Sequence, residues 1–222
     1  MKSSGKTIIS LGIISNLVKK GIVVQSFKKG PDYIDPMWLK LASHKECYNL
    51  DPYLMGTEGC RNSFAKNIRK SEMTLIEGNH GLHDGMSLNG SDSSAGLANL
   101  LKSPVILVVN SRGMNRGVAA LVTGMQKMTP RPSIVGVILN NVRSNRQKIK
   151  QKMAIEKHCN IPVLGSIPND EAVIIPERNQ GLTTVQEFSD ASRIINQAGE
   201  LIYKFCDMNA IQSLFKEESI DI

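Results

Sequence analysis

The chain has 222 residues, 41% hydrophobic and 21% charged, enough for one large domain with its own core. No apolar run is long enough to cross a bilayer, and Met1 is followed at once by Lys2-Ser3-Ser4-Gly5-Lys6-Thr7 rather than by an apolar leader, so a cytoplasmic protein with no membrane partner is expected. The net charge of +7 comes from scattered lysines and arginines, and with only five Phe, four Tyr and one Trp for base stacking it fits an anion-binding cleft or a plain basic surface better than a nucleic-acid interface.

Short Val/Ile/Leu-rich runs at 22–27, 73–77, 105–110, 134–140 and 163–167 read as buried parallel strands. Between them, residues 6–20, 36–43, 59–70, 93–101, 116–127 and 145–159 read as helices, and residues 184–205 as a last amphipathic helix. This alternation predicts an α/β fold with a doubly wound, mostly parallel sheet flanked by helices, whose active site lies at the carboxyl ends of the strands. Residues 207–222 are polar and are expected to fray as a tail or linker, leaving residues 1–206 as the domain. Cys47, Cys60, Cys159 and Cys206 lie far apart with no CxxC pair and read as reduced thiols. A zinc site at His44 and Cys47 carries little weight.

Gly5-Lys6-Thr7 matches the end of a phosphate-binding loop that opens a helix. There Lys6 would neutralise the β- and γ-phosphates and the Thr7 hydroxyl would ligate magnesium. The front of that loop, and the strand that launches it, have no counterpart in the sequence, which points to an upstream start, a fragment or a degenerate copy. Lys28-Lys29-Gly30-Pro31-Asp32-Tyr33-Ile34-Asp35-Pro36 follows a predicted strand. Its plain reading is a Gly-Pro turn capped by Asp35, with Pro36 at the first helical position. That leaves unexplained two lysines and two aspartates beside a nucleotide loop, where Lys28 and Lys29 are suited to stabilise a transferring phosphoryl group or bind substrate carboxylates. Glu77 ends a strand before Gly78, the position of a Walker-B-type acid that holds magnesium. His80 and His83 read mainly as polar loop residues, and Ser91 and Ser94 as helix caps or substrate contacts. Arg112 and Arg116 follow the strand at 105–110 and would clamp carboxylates through their guanidinium forks, or else form surface ion pairs.

These ordered motifs resemble the cobyrinate a,c-diamide synthase family of ATP-dependent amide ligases over nearly the whole chain, from Gly5 to about Val185. The family run E-G-x-x-G-L-x-D-G is matched by Glu77, Gly78, Gly81, Leu82, Asp84 and Gly85. Three departures are visible: Ala95-Gly96-Leu97 lacks an expected glutamate, Asn110 replaces a frequent aspartate, and Asn179 replaces the histidine of the run around Glu177-Arg178 and Gly181-Leu182. The resemblance implies a P-loop NTPase-like fold similar to dethiobiotin synthetase. It makes Asp32 a magnesium-side ligand with Thr7 and Glu77, Asp35 and Asp84 catalytic with Lys28, and Lys29, Tyr33, Arg112 and Arg116 substrate-binding. Gly5, Lys6 and Thr7 would bind ATP, and Asn140 would recognise adenine, with the segment from Gly165 to Asp170 as a nearby wall. The division of roles between Asp32 and Asp35 stays open.

The implied reaction activates a tetrapyrrole carboxylate with Mg2+-ATP as an acyl phosphate, which ammonia converts to a primary amide. Cobyrinic acid, at its a and c side chains, is the expected substrate, with sirohaem and Ni-sirohydrochlorin as alternatives. Full-length family members carry a C-terminal glutamine amidotransferase domain, which is not expected within these residues, so ammonia is expected from solution or from a separate subunit. Relatives often form homodimers. Competing readings are a non-catalytic remnant and a partitioning-type ATPase, whose pattern Lys-Gly-Gly-x-Gly-Lys-Thr is not met because Lys2 stands one residue too close to Gly5 and serines replace the glycines.

Overall fold

The computed structural model describes residues 4–68, 71, 73–169, 175, 177–178, 181–187 and 190–215, the backbone alone at 177–178 and 181–182. Lys2, Ser3, Asp170 and Asn179, and residues 216–222 of the expected tail, lie outside the described residues. In chain order the elements are α1 (Lys6–Lys19), β1 (Val24–Lys29), α2 (Ile34–Ser43), β2 (Tyr48–Leu50), α3 (Pro52–Ile68), β3 (Met73–Glu77), α4 (Ser94–Leu100), β4 (Val105–Asn110), α5 (Gly117–Lys127), β5 (Ile134–Val142), α6 (Asn145–Cys159), β6 (Val163–Pro168), β7 (Glu177–Arg178), β8 (Gly181–Leu182), a 3-10 turn (Val185–Glu187), α7 (Ala191–Phe205) and α8 (Met208–Ser213). They fall into two compact units, one from residues 6–79 and 171–204, the other from residues 4–5, 80–170 and 205–214.

The first unit is built on a parallel sheet of order β2-β1-β3. Every residue of β1 is buried, as a central parallel strand with both faces covered requires. Register pairs Lys28 with Asn49 on one side and with Glu77 on the other, so these polar residues share the carboxyl edge. Phe27 contributes to the core beneath, its ring 5.2 Å from Phe64 and 6.2 Å from Tyr48. Helices α1 and α7 meet at Gly12, where a Cβ would lie 2.4 Å from Ile202 Cγ1 and 2.5 Å from the Ala198 carbonyl oxygen. Asn16 Nδ2 donates to the carbonyls of Gly12 and Gly199, both at 2.8 Å, and locks that crossing.

The second unit holds a parallel sheet of order β4-β5-β6. Leu107, Val109, Val137 and Leu139 of the sheet, Val118 and Val122 of α5 and Ile155 of α6 are buried in its core cluster. The expected parallel α/β architecture is thus present, with its hydrogen-bonded strands divided between two three-stranded sheets, beside an antiparallel β7-β8 pair. Among the described residues no helix is long and apolar enough to cross a membrane.

Several boundaries differ from the sequence expectation. Strand β1 runs to Lys29 rather than 27, because Lys28 and Lys29 are themselves buried in the ladder. The short strand β2 was not expected at all; its three residues carry no alternation to read. Helix α3 begins before its predicted start at 59, since Asp51 Oδ1 accepts from the amides of Tyr53 and Leu54 at 2.9 and 3.4 Å and nucleates a turn that Gly56, at φ 69°, then breaks. The last helix starts at Ala191, not 184. The tail is corrected too. Asp207 Oδ1 accepts from the Ala210 amide at 2.9 Å, and Met208 and Ile211 bury one face of α8, so after a break at Cys206 and Asp207 a short second helix runs to Ser213.

Candidate active site

The first unit gathers Thr7, Lys28, Asp35 and Glu77. Gly5, at φ 85°, precedes helix α1, a left-handed backbone that glycine adopts without cost. Thr7, in the helix's first turn, donates through Oγ1 to Glu77 Oε1 at 2.8 Å. Lys28 Nζ donates to the same oxygen at 2.8 Å, to Asp35 Oδ2, and to the Gly78 carbonyl at 3.4 Å. The side chains of Lys28, Glu77 and Asp35 are 3%, 1% and 14% exposed, so Asp35 is the member of this ion-paired trio that solvent reaches.

Burial alone would lower the Lys28 pKa, but Glu77 and Asp35 outweigh it and hold the ammonium above the usual lysine value. Burial and then the Glu77 charge push the Asp35 carboxyl up, against the pull of Lys28. Cys47 stands in the same neighbourhood, and burial drives its thiol up to about 12.

Glu77 Oε2 is buried with no hydrogen-bond partner among the described residues. A buried carboxylate oxygen without a donor is costly, and a hard cation is a natural ligand for it. Thr7 and Glu77 therefore fit magnesium, with a hydroxyl oxygen and an uncommitted carboxylate oxygen at the N-terminal end of α1.

Asp32 adjoins that cluster through the backbone of Asp35. Its Oδ1 accepts from the amides of Ile34 and Asp35 at 2.9 and 3.1 Å, so Asp32, not Asp35, caps helix α2. The helix starts at Ile34, which makes Pro36 its third residue rather than its first. Lys29 is buried and Tyr33 is 68% exposed.

In the second unit, Asp84 Oδ2 accepts from the Gly81 amide at 2.8 Å and closes a turn. Arg112 and Arg116 are exposed, and their guanidinium groups form no ion pair among the described residues, so the surface-pair alternative is not realised there. Asn140 Nδ2 donates to the Ser4 carbonyl at 2.9 Å, while its Oδ1 accepts from the Asn141 amide at 3.0 Å. Helix α4 is capped by Ser93, which accepts from Gly96 at 3.1 Å, rather than by Ser91 or Ser94.

Sequence reading missed Asp92. It is buried, and its two oxygens accept from the amides of Met86 and Ser87 at 2.6 and 3.0 Å. Burial works to raise its pKa, but these amides win and hold it below the ordinary aspartate value. Also missed were Gln147 and Gln151, whose amides both donate to the carbonyls of Ser111 and Met114. Their spacing on one face of a lysine-rich helix was the available signal.

A family model described as the CobQ/CobB/MinD/ParA nucleotide binding domain matches residues 3–182. The chain is 44% identical over 213 residues to a cobyrinate a,c-diamide synthase of Magnetococcus marinus, covering 96% of this chain and 46% of that protein. It is 38% identical over 214 residues to a hydrogenobyrinate a,c-diamide synthase of Brucella anthropi, covering 96% of this chain and 48% of that protein. The chain thus spans about half the length of the curated relatives it matches. The MinD cell division protein of Aquifex aeolicus superposes with a TM-score of 0.54 at 17% identity, covering 100% of this chain and 95% of that one; at this identity the likeness establishes a MinD-like P-loop NTPase fold and no more.

Proposed function

Because the chain belongs to the CobQ/CobB/MinD/ParA nucleotide-binding domain family, we propose that it is the ATP-dependent ligase part of an enzyme that converts side-chain carboxylates of a cobyrinic-acid-type tetrapyrrole into primary amides. The names of the curated relatives support this substrate class. The observation that carries the chemistry is the buried cluster of Thr7, Lys28, Asp35 and Glu77, with one Glu77 oxygen left without a partner.

A substrate carboxylate oxygen attacks the γ-phosphorus of ATP. A new P–O bond forms, the bond to the β-phosphate oxygen breaks, and ADP leaves. Ammonia then attacks the acyl carbon, the C–N bond forms, the C–O bond to phosphate breaks, and a proton passes from nitrogen to solvent. Thr7 and Glu77 would hold magnesium, which would supply positive charge to the phosphate oxygens. Lys6, in the first turn of α1, binds the phosphates. Lys28 bridges Glu77 and Asp35 and orients both. Asp35, the most exposed of the three ion-paired side chains, is the group a substrate reaches. Lys29, Tyr33, Arg112 and Arg116 bind substrate carboxylates and ring, Asp32 and Asp84 shape their loops, and the nitrogen comes from a glutamine amidotransferase domain or subunit.

The test is ADP release from Mg2+-ATP with ammonium as nitrogen donor, adding cobyrinic acid, sirohaem and Ni-sirohydrochlorin in turn. ADP formed with cobyrinic acid alone, matched by amidated product in mass spectra, is the expected result. Product from another tetrapyrrole would move the substrate. ATP hydrolysis that ignores every tetrapyrrole would replace the ligase with a regulatory ATPase, and a chain that binds no ATP would be a non-catalytic remnant.

A further inference from the structure

Asn140 lies near the carboxyl end of β5, where the resemblance implies recognition of adenine, yet its side chain is turned to the backbone of the phosphate-binding turn. Its Nδ2 donates to the Ser4 carbonyl at 2.9 Å. The approach is so close that a Cβ on Gly5 would lie 2.2 Å from that nitrogen, which gives Gly5 a second reason to be glycine besides its φ of 85°. The amide orientation is fixed, because exchanging O and N would set the carboxamide oxygen against the Ser4 carbonyl and the nitrogen against the Asn141 N–H.

Asn140 is itself held from behind. Its backbone carbonyl accepts from both the amide and the hydroxyl of Ser111, each at 2.9 Å. Ser111 is fully buried, and its own carbonyl accepts from Gln147 Nε2 at 3.3 Å and Gln151 Nε2 at 3.2 Å. The same two amides reach the Met114 carbonyl at 2.7 and 2.9 Å. Gln151 is also fully buried. An unbroken run of hydrogen bonds therefore leads from helix α6, through Ser111 and Asn140, to the Ser4–Gly5 peptide from which α1 starts.

We propose that Asn140 is a positioning residue for the phosphate-binding turn, with Ser111, Gln147 and Gln151 as its support, and that it acts on the triphosphate rather than on adenine. This role rests on the nucleotide-binding reading of the family and is independent of the ligase chemistry. A fixed Ser4–Gly5 peptide is preorganised for phosphate and loses nothing to reordering when the anion arrives.

The decisive comparison is calorimetric binding of ATP, inosine triphosphate and inorganic tripolyphosphate, each with magnesium, to the parent chain, Asn140→Ala and Ser111→Ala. Loss of one buried hydrogen bond should weaken all three ligands for Asn140→Ala by a common factor, about five- to tenfold. Ser111→Ala removes the hydroxyl bond and leaves the amide bond, so a smaller loss, again common to all three, is expected. A loss confined to ATP would assign Asn140 to the base edge and overturn the proposal. Unchanged affinities in a variant with native Trp38 fluorescence would overturn it as well. If Asn140→Ala fails to fold, Ser111→Ala decides on the same criteria. A parent chain that binds none of the three would refute nucleotide binding itself, and this role with it.

Discussion

Lys28 stands between two carboxylates in a setting almost closed to water. Removing one partner from a buried ion cluster costs about 3–5 kcal/mol, because the charges left behind have neither solvent nor counter-ion. Lys28→Met should therefore lower stability by about that amount in urea unfolding. Adding Asp35→Asn and Glu77→Gln should return much of the loss, and a Lys28→Met chain as stable as its parent would contradict the buried pairing. Asp92 makes a pH prediction. Its folded pKa is depressed, so the stability it supplies is present above the ordinary aspartate value of about 4 and fades as pH falls through the lower folded value. Asp92→Asn should be less stable than the parent at pH 7, by about 1 kcal/mol, and the two unfolding curves should converge at strongly acid pH; a gap that persisted there would mean the amide bonds do not depend on charge. At this scale the sequence was read well where chemistry is carried by residue type. Thr7, Lys28, Asp35 and Glu77 were all singled out, and the fold brings them within hydrogen-bonding distance. It was read poorly where one residue type serves two ends. Asp32 and Asp35 look alike in the string, and only the geometry makes Asp32 the helix cap and Asp35 the partner of Lys28.

Among elements, the crossing of α1 and α7 depends on the missing side chain at Gly12. A methyl there meets the Ala198 carbonyl and Ile202, so the helices must part, and overpacking of this kind costs about 1–3 kcal/mol. Gly12→Ala should lower the unfolding midpoint, whereas Gly21→Ala, with open space around its Cβ position, answers only to its positive φ. Equal effects of the two would argue against the close crossing. The parallel strands were legible because a strand covered on both faces is a short apolar run, and β3, β4 and α6 match their expected bounds. Strand β2 and helix α8 were not, since three and six residues are too few to display a period. The signal for α8 was Asp207, an N-cap residue passed over because the segment beyond it is polar.

For the whole molecule, a ligand that binds only the folded state raises stability by mass action, about 2.7 kcal/mol when its concentration is a hundred times Kd. Mg2+-ATP should thus raise the thermal midpoint more than ATP with EDTA, because the partnerless Glu77 oxygen gains a ligand only when the metal is present. Equal shifts would remove Glu77 from the metal site. The units also differ in one useful way. Cys206, whose backbone bridges to Gly165, belongs to the second, and burial pushes its thiol up to about 12, the same value as Cys47 in the first. At pH 8 roughly one such thiol in ten thousand is a thiolate, the form that reacts with alkylating reagents. Alkylation at either half-buried position should then be slow while the native surroundings keep the thiol neutral and speed up where they loosen, so mass-spectrometric labelling rates at the two cysteines report on each unit separately, with no probe added to the chain.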